Sequence, residues 1–185
     1  MKTSFPAPIY RGGADRFEID DCEAQSRAAL EGKIELHALS KGHYPGRRME
    51  SNELPGLTGL SHMLEHMMFK GTSKNGPEEY SRIIAQNGGN ENAFTSDDAT
   101  TYFATLASDR IGVEIALEAD RMRNLVLSEQ LFEPERRVVA EERRMRTDNN
   151  PISFMFESLN AATFLEHPYR QPVIGWPTDI AGWKL

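Results

Sequence analysis

A single cysteine, Cys22, stands in a chain of 185 residues. One thiol excludes an internal disulfide framework and a thiolate metal cluster, so any metal here must rest on nitrogen and oxygen. Long apolar runs are missing too: no stretch approaches the length of a membrane span, and the N-terminus lacks the basic-then-apolar pattern of a secretory signal. By default this points to the cytoplasm. Basic residues are in deficit, 21 Lys and Arg against 28 Asp and Glu, for a formal charge of -7. That balance argues against nucleic acid as the main partner. Internal repeats and long low-complexity segments are also absent. What remains is a length suited to one domain with enough apolar residues for a core.

The positive signal is His62-Met63-Leu64-Glu65-His66. Histidines at i and i+4 lie on one face of a helix, close enough to grip one metal ion. Glu65 falls beside the pair, where it reaches a metal-activated water rather than the metal. The order H-x-x-E-H is the inverse of H-E-x-x-H and carries the same chemistry, two neutral nitrogen ligands and an adjacent general base. Leu60, Met63, Leu64, Met67 and Met68 follow helical spacing, so a helix is expected over 57–69. Thr58 or Ser61 is its candidate cap, and Lys70-Gly71 its stop.

A catalytic zinc site needs a third protein ligand. The charged stretch Glu133–Arg146 has helical periodicity, with Pro134 as its first-turn residue and a stop before Asn149-Asn150-Pro151. Val138, Glu142 and Met145 share one face, which places Glu142 in an apolar stripe where an unpaired carboxylate is costly. A metal would remove that cost. Glu135, seven residues earlier, projects in nearly the same direction and is a candidate for orienting the site. Glu141, Arg137 and Arg144 diverge toward the flanks.

The run Gly59 to Thr72, with His62, Glu65 and His66 inside it, resembles the zinc-binding segment of the pitrilysin/insulinase family of metallopeptidases. That family also holds the mitochondrial processing peptidase and many bacterial proteins. The resemblance implies a third ligand on a distant helix, and the matching position is Glu142; Glu135 matches an accessory glutamate. Gly88 to Ser96, followed by Thr101-Tyr102-Phe103, resembles the family's G-G-x-x-N-A-x-T segment. This implies that Asn92, Ala93 and Phe94 lie on an edge strand that receives extended substrate by β-augmentation. His167 to Gly175 looks family-like for structural reasons, and His167 itself reads as part of a turn. The implied cofactor is one Zn2+, and the implied substrate is a peptide or unfolded polypeptide.

Two departures qualify the resemblance. Residues 1–50 match poorly, although Glu53 sits where the family carries a glutamate before its zinc helix. The chain also stops before one half of a family clamshell would be complete, so 51–185 reads as a shortened zinc-bearing domain. A complementary half or partner subunit is therefore among the implied partners. Zinc-dependent endopeptidase is the first reading; a truncated or subunit-like zinc-binding protein without activity of its own is the alternative.

The order of elements is a short strand at 33–39, the zinc helix, a helix from Pro77 to about Gln86, and strands at about 90–95 and 100–107. A helix capped by Ser108 or Asp109 then runs to Asn124, with Ile111, Ile115 and Leu117 to Met122 as buried candidates. The Glu142 helix and another at about 151–165 follow. The class expected is α+β, a mostly antiparallel sheet with helices packed on one face.

Overall fold

The computed structural model describes residues 53–185 together with a strand at residues 36–40. The N-terminal segment 1–50 therefore lies, apart from that strand, outside the described residues, as do Cys22 and His43.

The fold is α+β. Strands β1 (Leu36–Ser40), β2 (Asn90–Thr95) and β3 (Thr100–Thr105) form an antiparallel sheet in the order β1-β3-β2. Among the described residues β2 therefore has a neighbour on one side only. Helices α1 (Leu60–Met67) and α2 (Glu79–Gln86) pack against it, and α3 (Ile111–Asn124) packs against α2. Helix α4 (Glu129–Arg143) crosses α1 and continues as a π-helical turn over Arg144–Asp148. Helix α5 (Pro151–Thr163), a 3-10 turn at Pro168–Arg170 and the short α6 (Pro177–Gly182) complete the chain. Among the described residues no helix is long and apolar enough to cross a membrane.

Helix α1 is set by two different forces. Met63 and Met67, one turn apart, are almost fully buried against Phe132 and Val139 of α4 and against Ile180 and Trp183. Its N-terminus is not capped by Thr58 or Ser61 as expected. Gly59 holds the cap position with φ 83°, and the Glu53 carboxylate accepts from the backbone N–H groups of Gly59 and Ser61, both at 2.6 Å. A carboxylate satisfies these free donors and complements the positive end of the helix dipole. Thr58 is buried and turns to the C-terminal segment instead: its hydroxyl donates to Asp179 at 2.6 Å and accepts from the backbone N–H of Trp176. Gly59 and Gly175 meet so closely that a Cβ on Gly59 would lie 2.4 Å from the Ile174 carbonyl. This latch fixes residues 172–180 against the start of α1.

Helix α4 departs most from expectation. It starts at Glu129, so Pro134 sits inside it and withholds one backbone donor. Its buried face is Phe132, Glu135, Val139 and Arg143, one position away from the stripe expected at Val138, Glu142 and Met145. Val138 and Met145 are 49% and 64% exposed. Tertiary packing chose the neighbouring stripe, because Val139 faces the methionines of α1. Glu142 therefore stands on a groove wall rather than among core side chains.

Smaller differences have local causes. Helix α2 begins at Glu79, after Glu78 adopts a left-handed φ of 65°. The helix expected from Ser108 opens as a 3-10 turn over Ser108–Arg110 without a side-chain cap. Of its expected core, Leu117 is buried while Met122 is 56% exposed. Arg121 takes the inner place, its guanidinium over the rings of Phe69, Tyr80 and Tyr102 and paired with Glu118 at 2.5 Å. Helix α6 was not expected. It is short and held by the Thr58–Asp179 latch rather than by a long periodic face.

Candidate metal centre

Helix α1 turns His62 and His66 toward α4, which brings Glu142 across from them. The Glu142 Oε2 atom lies 3.7 Å from His62 Nε2 and 3.2 Å from His66 Nε2. One potential ligand atom from each of the three residues falls within 4.8 Å of the others. Around a metal with bonds of about 2.1 Å, tetrahedral ligands stand roughly 3.4 Å apart, so this donor set fits a single ion with little movement. Two imidazoles and one carboxylate also match zinc in chemical type. His167 does not join them. Its Nδ1 accepts from the Tyr169 backbone N–H, and its ring packs on Tyr169 and Phe164.

The two histidines have unlike surroundings. His66 Nδ1 donates to Glu135 Oε1 at 2.8 Å, which leaves Nε2 facing Glu142. Burial lowers the proton affinity of the His66 ring, but its bonds to Glu135 and Glu142 outweigh that and raise its pKa to about 9. His62 has no such support: its Nδ1 is buried without a hydrogen-bond partner among the described residues. Burial and the nearby His66 charge lower its pKa to about 4. One ring thus favours its charged form and the other its neutral form, as expected for two cations competing for one carboxylate.

The carboxylates separate in the same way. Glu142 is held below its usual range, chiefly by its hydrogen bond to His66. Its second oxygen pairs with Arg146 at 3.1 Å, from the π-helical turn. Glu135 is opposed by burial yet also held low, by His66 and by Lys70, whose Nζ lies 2.5 Å from Oε2. Glu65 moves the other way: burial raises its pKa, only partly offset by a hydrogen bond from the Thr95 hydroxyl of β2.

An open groove of about 970 Å³ joins these groups. It is lined by His62, Glu65 and His66 of α1, by Asn92 to Thr95 of β2, and by Val138, Glu141, Glu142 and Met145 with Val173 and Ile174. The expected substrate-side residues Asn92, Ala93 and Phe94 all reach it, with Phe94 53% exposed. Asn92 Oδ1 accepts from the backbone N–H of Ala93 at 2.9 Å, so the side chain presently occupies that donor itself.

Thr95, Lys70 and Arg146 also belong to this cluster, although their sequence positions do not mark them as site residues. Thr95 was within reach, because period-two alternation puts it on the same strand face as Ala93. Lys70 read only as a helix-end cation. Arg146 lies four residues after Glu142, an ordinary ion-pair spacing that does not mark a site.

Two histidines on one helical turn, a glutamate from a second helix and a further carboxylate beside an open strand define the metallohydrolase class of site. Comparison with known proteins narrows the class. The family model described as Insulinase (Peptidase family M16) matches residues 46–176. A zinc protease from Helicobacter pylori, PqqE, is 42% identical over 154 residues, covering 83% of this chain and 33% of that protein. An uncharacterized zinc protease from Bacillus subtilis, YmxG, is 30% identical over 163 residues, covering 88% and 39%. The crystal structure of a protease from Helicobacter pylori superposes with a TM-score of 0.74 at 39% identity, over 80% of this chain and 34% of that one. The chain belongs to the insulinase family, peptidase family M16. It spans about a third of the length of these relatives.

Proposed function

We propose that this chain is the zinc-bearing portion, over residues 51–185, of a metalloendopeptidase that cleaves extended or unfolded polypeptides. His62, His66 and Glu142 hold one Zn2+; Glu65 is the general base; Glu135 orients His66. The observation that carries the reading is the convergence of the three donor atoms with Glu65 in one groove bordered by β2. The zinc protease names of its relatives support the choice of metal and reaction.

When bound, zinc supplies a Lewis acid that polarises the peptide carbonyl and acidifies water. Glu65 takes the proton of the attacking water on a carboxylate oxygen and returns it to the leaving amine. Its raised proton affinity suits a group that must both accept and give a proton, and the Thr95 hydroxyl holds it in place. Substrate lies along the edge of β2 that has no neighbour among the described residues, where main-chain pairing gives affinity with loose sequence preference. In binding, it takes over the Ala93 N–H that Asn92 now covers. Phe94, Val138 and Met145 offer it apolar contact.

The test is Glu65→Gln. The variant should retain zinc and lose turnover of an unstructured peptide by about 10²- to 10⁴-fold. Cleavage at the parent rate would remove Glu65 as the base. The share of relatives covered favours a second reading, in which a complementary half or partner subunit is needed for turnover. Chelator-sensitive hydrolysis by the isolated chain would exclude it.

A further inference from the structure

Lys70 follows α1 and reaches across to α4. Its Nζ lies 2.5 Å from Glu135 Oε2, while Glu135 Oε1 holds His66 Nδ1 at 2.8 Å. The carboxylate is thus clamped at both oxygens, by a ring on one side and an ammonium on the other. This is unlike a surface ion pair. Glu135 is 7% exposed, and its partners come from another part of the chain. The neighbouring cations are engaged elsewhere: Arg136 on Glu133, Arg143 on Glu157 and Arg146 on Glu142.

Metal binding sharpens the need for Lys70. A histidine ligand offers the metal a lone pair from a neutral ring. A neutral His66 then gives Glu135 a hydrogen bond but no charge. A buried carboxylate without a counter-charge is costly, and Lys70 supplies that charge on the oxygen His66 does not use.

We infer that Lys70 is a positioning residue of the metal centre: it fixes Glu135, which in turn fixes the ring plane and the Nδ1–H tautomer of His66. The inference rests on the zinc reading above and adds a residue to it that touches neither metal nor substrate. Bare electrostatics and positioning predict opposite signs. Removing a positive charge near a dication should tighten zinc binding. Losing the support of a ligand's partner should weaken it, by about 10- to 100-fold.

The experiment measures zinc affinity of the intact chain by competition with a chromophoric chelator. Lys70→Met should weaken binding about 10- to 100-fold, and Lys70→Arg should restore most of it. Lys70→Met added to Glu135→Gln should cost little more than Glu135→Gln alone, because the two act through one contact. With Co2+ in place of zinc, both single variants should shift the visible absorption bands in the same way. If Lys70→Met does not fold, as circular dichroism reports, Lys70→Gln gives the same reading with a donor kept and the charge removed. Parent-like or tighter zinc binding by the folded variant overturns the inference while leaving the zinc site standing. Failure of the folded parent chain to bind zinc overturns the zinc reading and this inference with it.

Discussion

His62 and His66 are the same side chain one turn apart, and their surroundings make them different ligands. Two carboxylates bond His66 and favour its protonated form; His62, buried with no partner for Nδ1 among the described residues, favours the neutral one. A metal must displace the His66 proton, so binding releases one proton between pH values of about 4 and 9. The sign follows directly. His66 is raised, so its proton opposes the metal below pH 9 and ceases to do so above it. Apparent zinc affinity should therefore climb about tenfold per pH unit across pH 6 to 8 and flatten near 9, checked by chelator competition at each pH. A flat profile would mean that both rings are neutral before metal arrives. That His62 and His66 share one face was legible in the sequence, because a four-residue step on a helix leaves no choice of face. Their unlike proton affinities were not, because these come from Glu135 and Glu142 on another helix.

Helices α4 and α5 and the segment before α6 meet at one buried cation. Arg143 forms a two-pronged bond to Glu157 of α5, at 2.9 and 2.7 Å, and donates to the Gly175 carbonyl at 2.8 Å. Planar two-point pairing suits guanidinium and would not survive replacement by lysine. Arg143→Met leaves Glu157, nearly buried, without its partner. It should lower stability by about 3 to 5 kcal/mol in urea unfolding, while Glu142, the proposed zinc ligand one residue away, remains chemically intact. A loss below about 1 kcal/mol would show that solvent already screens the pair. At this scale the sequence gives partial sight. The apolar face of α1 predicted burial of Met63 and Met67, and both are core residues. The same reasoning placed the buried stripe of α4 one residue off, because a helix this charged offers two similar stripes and the partner surface decides between them. The cap of α1 was also hidden, since Glu53 acts from six residues before Gly59.

On the scale of the whole molecule, the proposed metal site joins α1 to α4, two helices separated by α2, the sheet hairpin and α3. Unfolding separates these ligands, so zinc should stabilise the fold by mass action, about 2.7 kcal/mol at 100-fold excess over its dissociation constant. A thermal scan with zinc and with a chelator reads this as a rise in Tm that His66→Ala abolishes. An unchanged Tm at saturating zinc would place the metal outside the folded core. The sequence by itself marked the proposed reacting set: His62, Glu65 and His66 from the repeat of one helical turn, and Glu142 from resemblance, since the apolar stripe to which phase assigned it is exposed at Val138 and Met145. Local spacing suffices for the first three, because backbone geometry alone dictates which side chains share a face. Only the tertiary structure decided that Lys70 and Thr95 reach Glu135 and Glu65, that Glu142 stands on an open wall rather than in the core, and that the latch between Gly59 and Gly175 closes beside the site. Those relations depend on how separate elements dock, and docking is governed by complementary surfaces that no single stretch of chain contains.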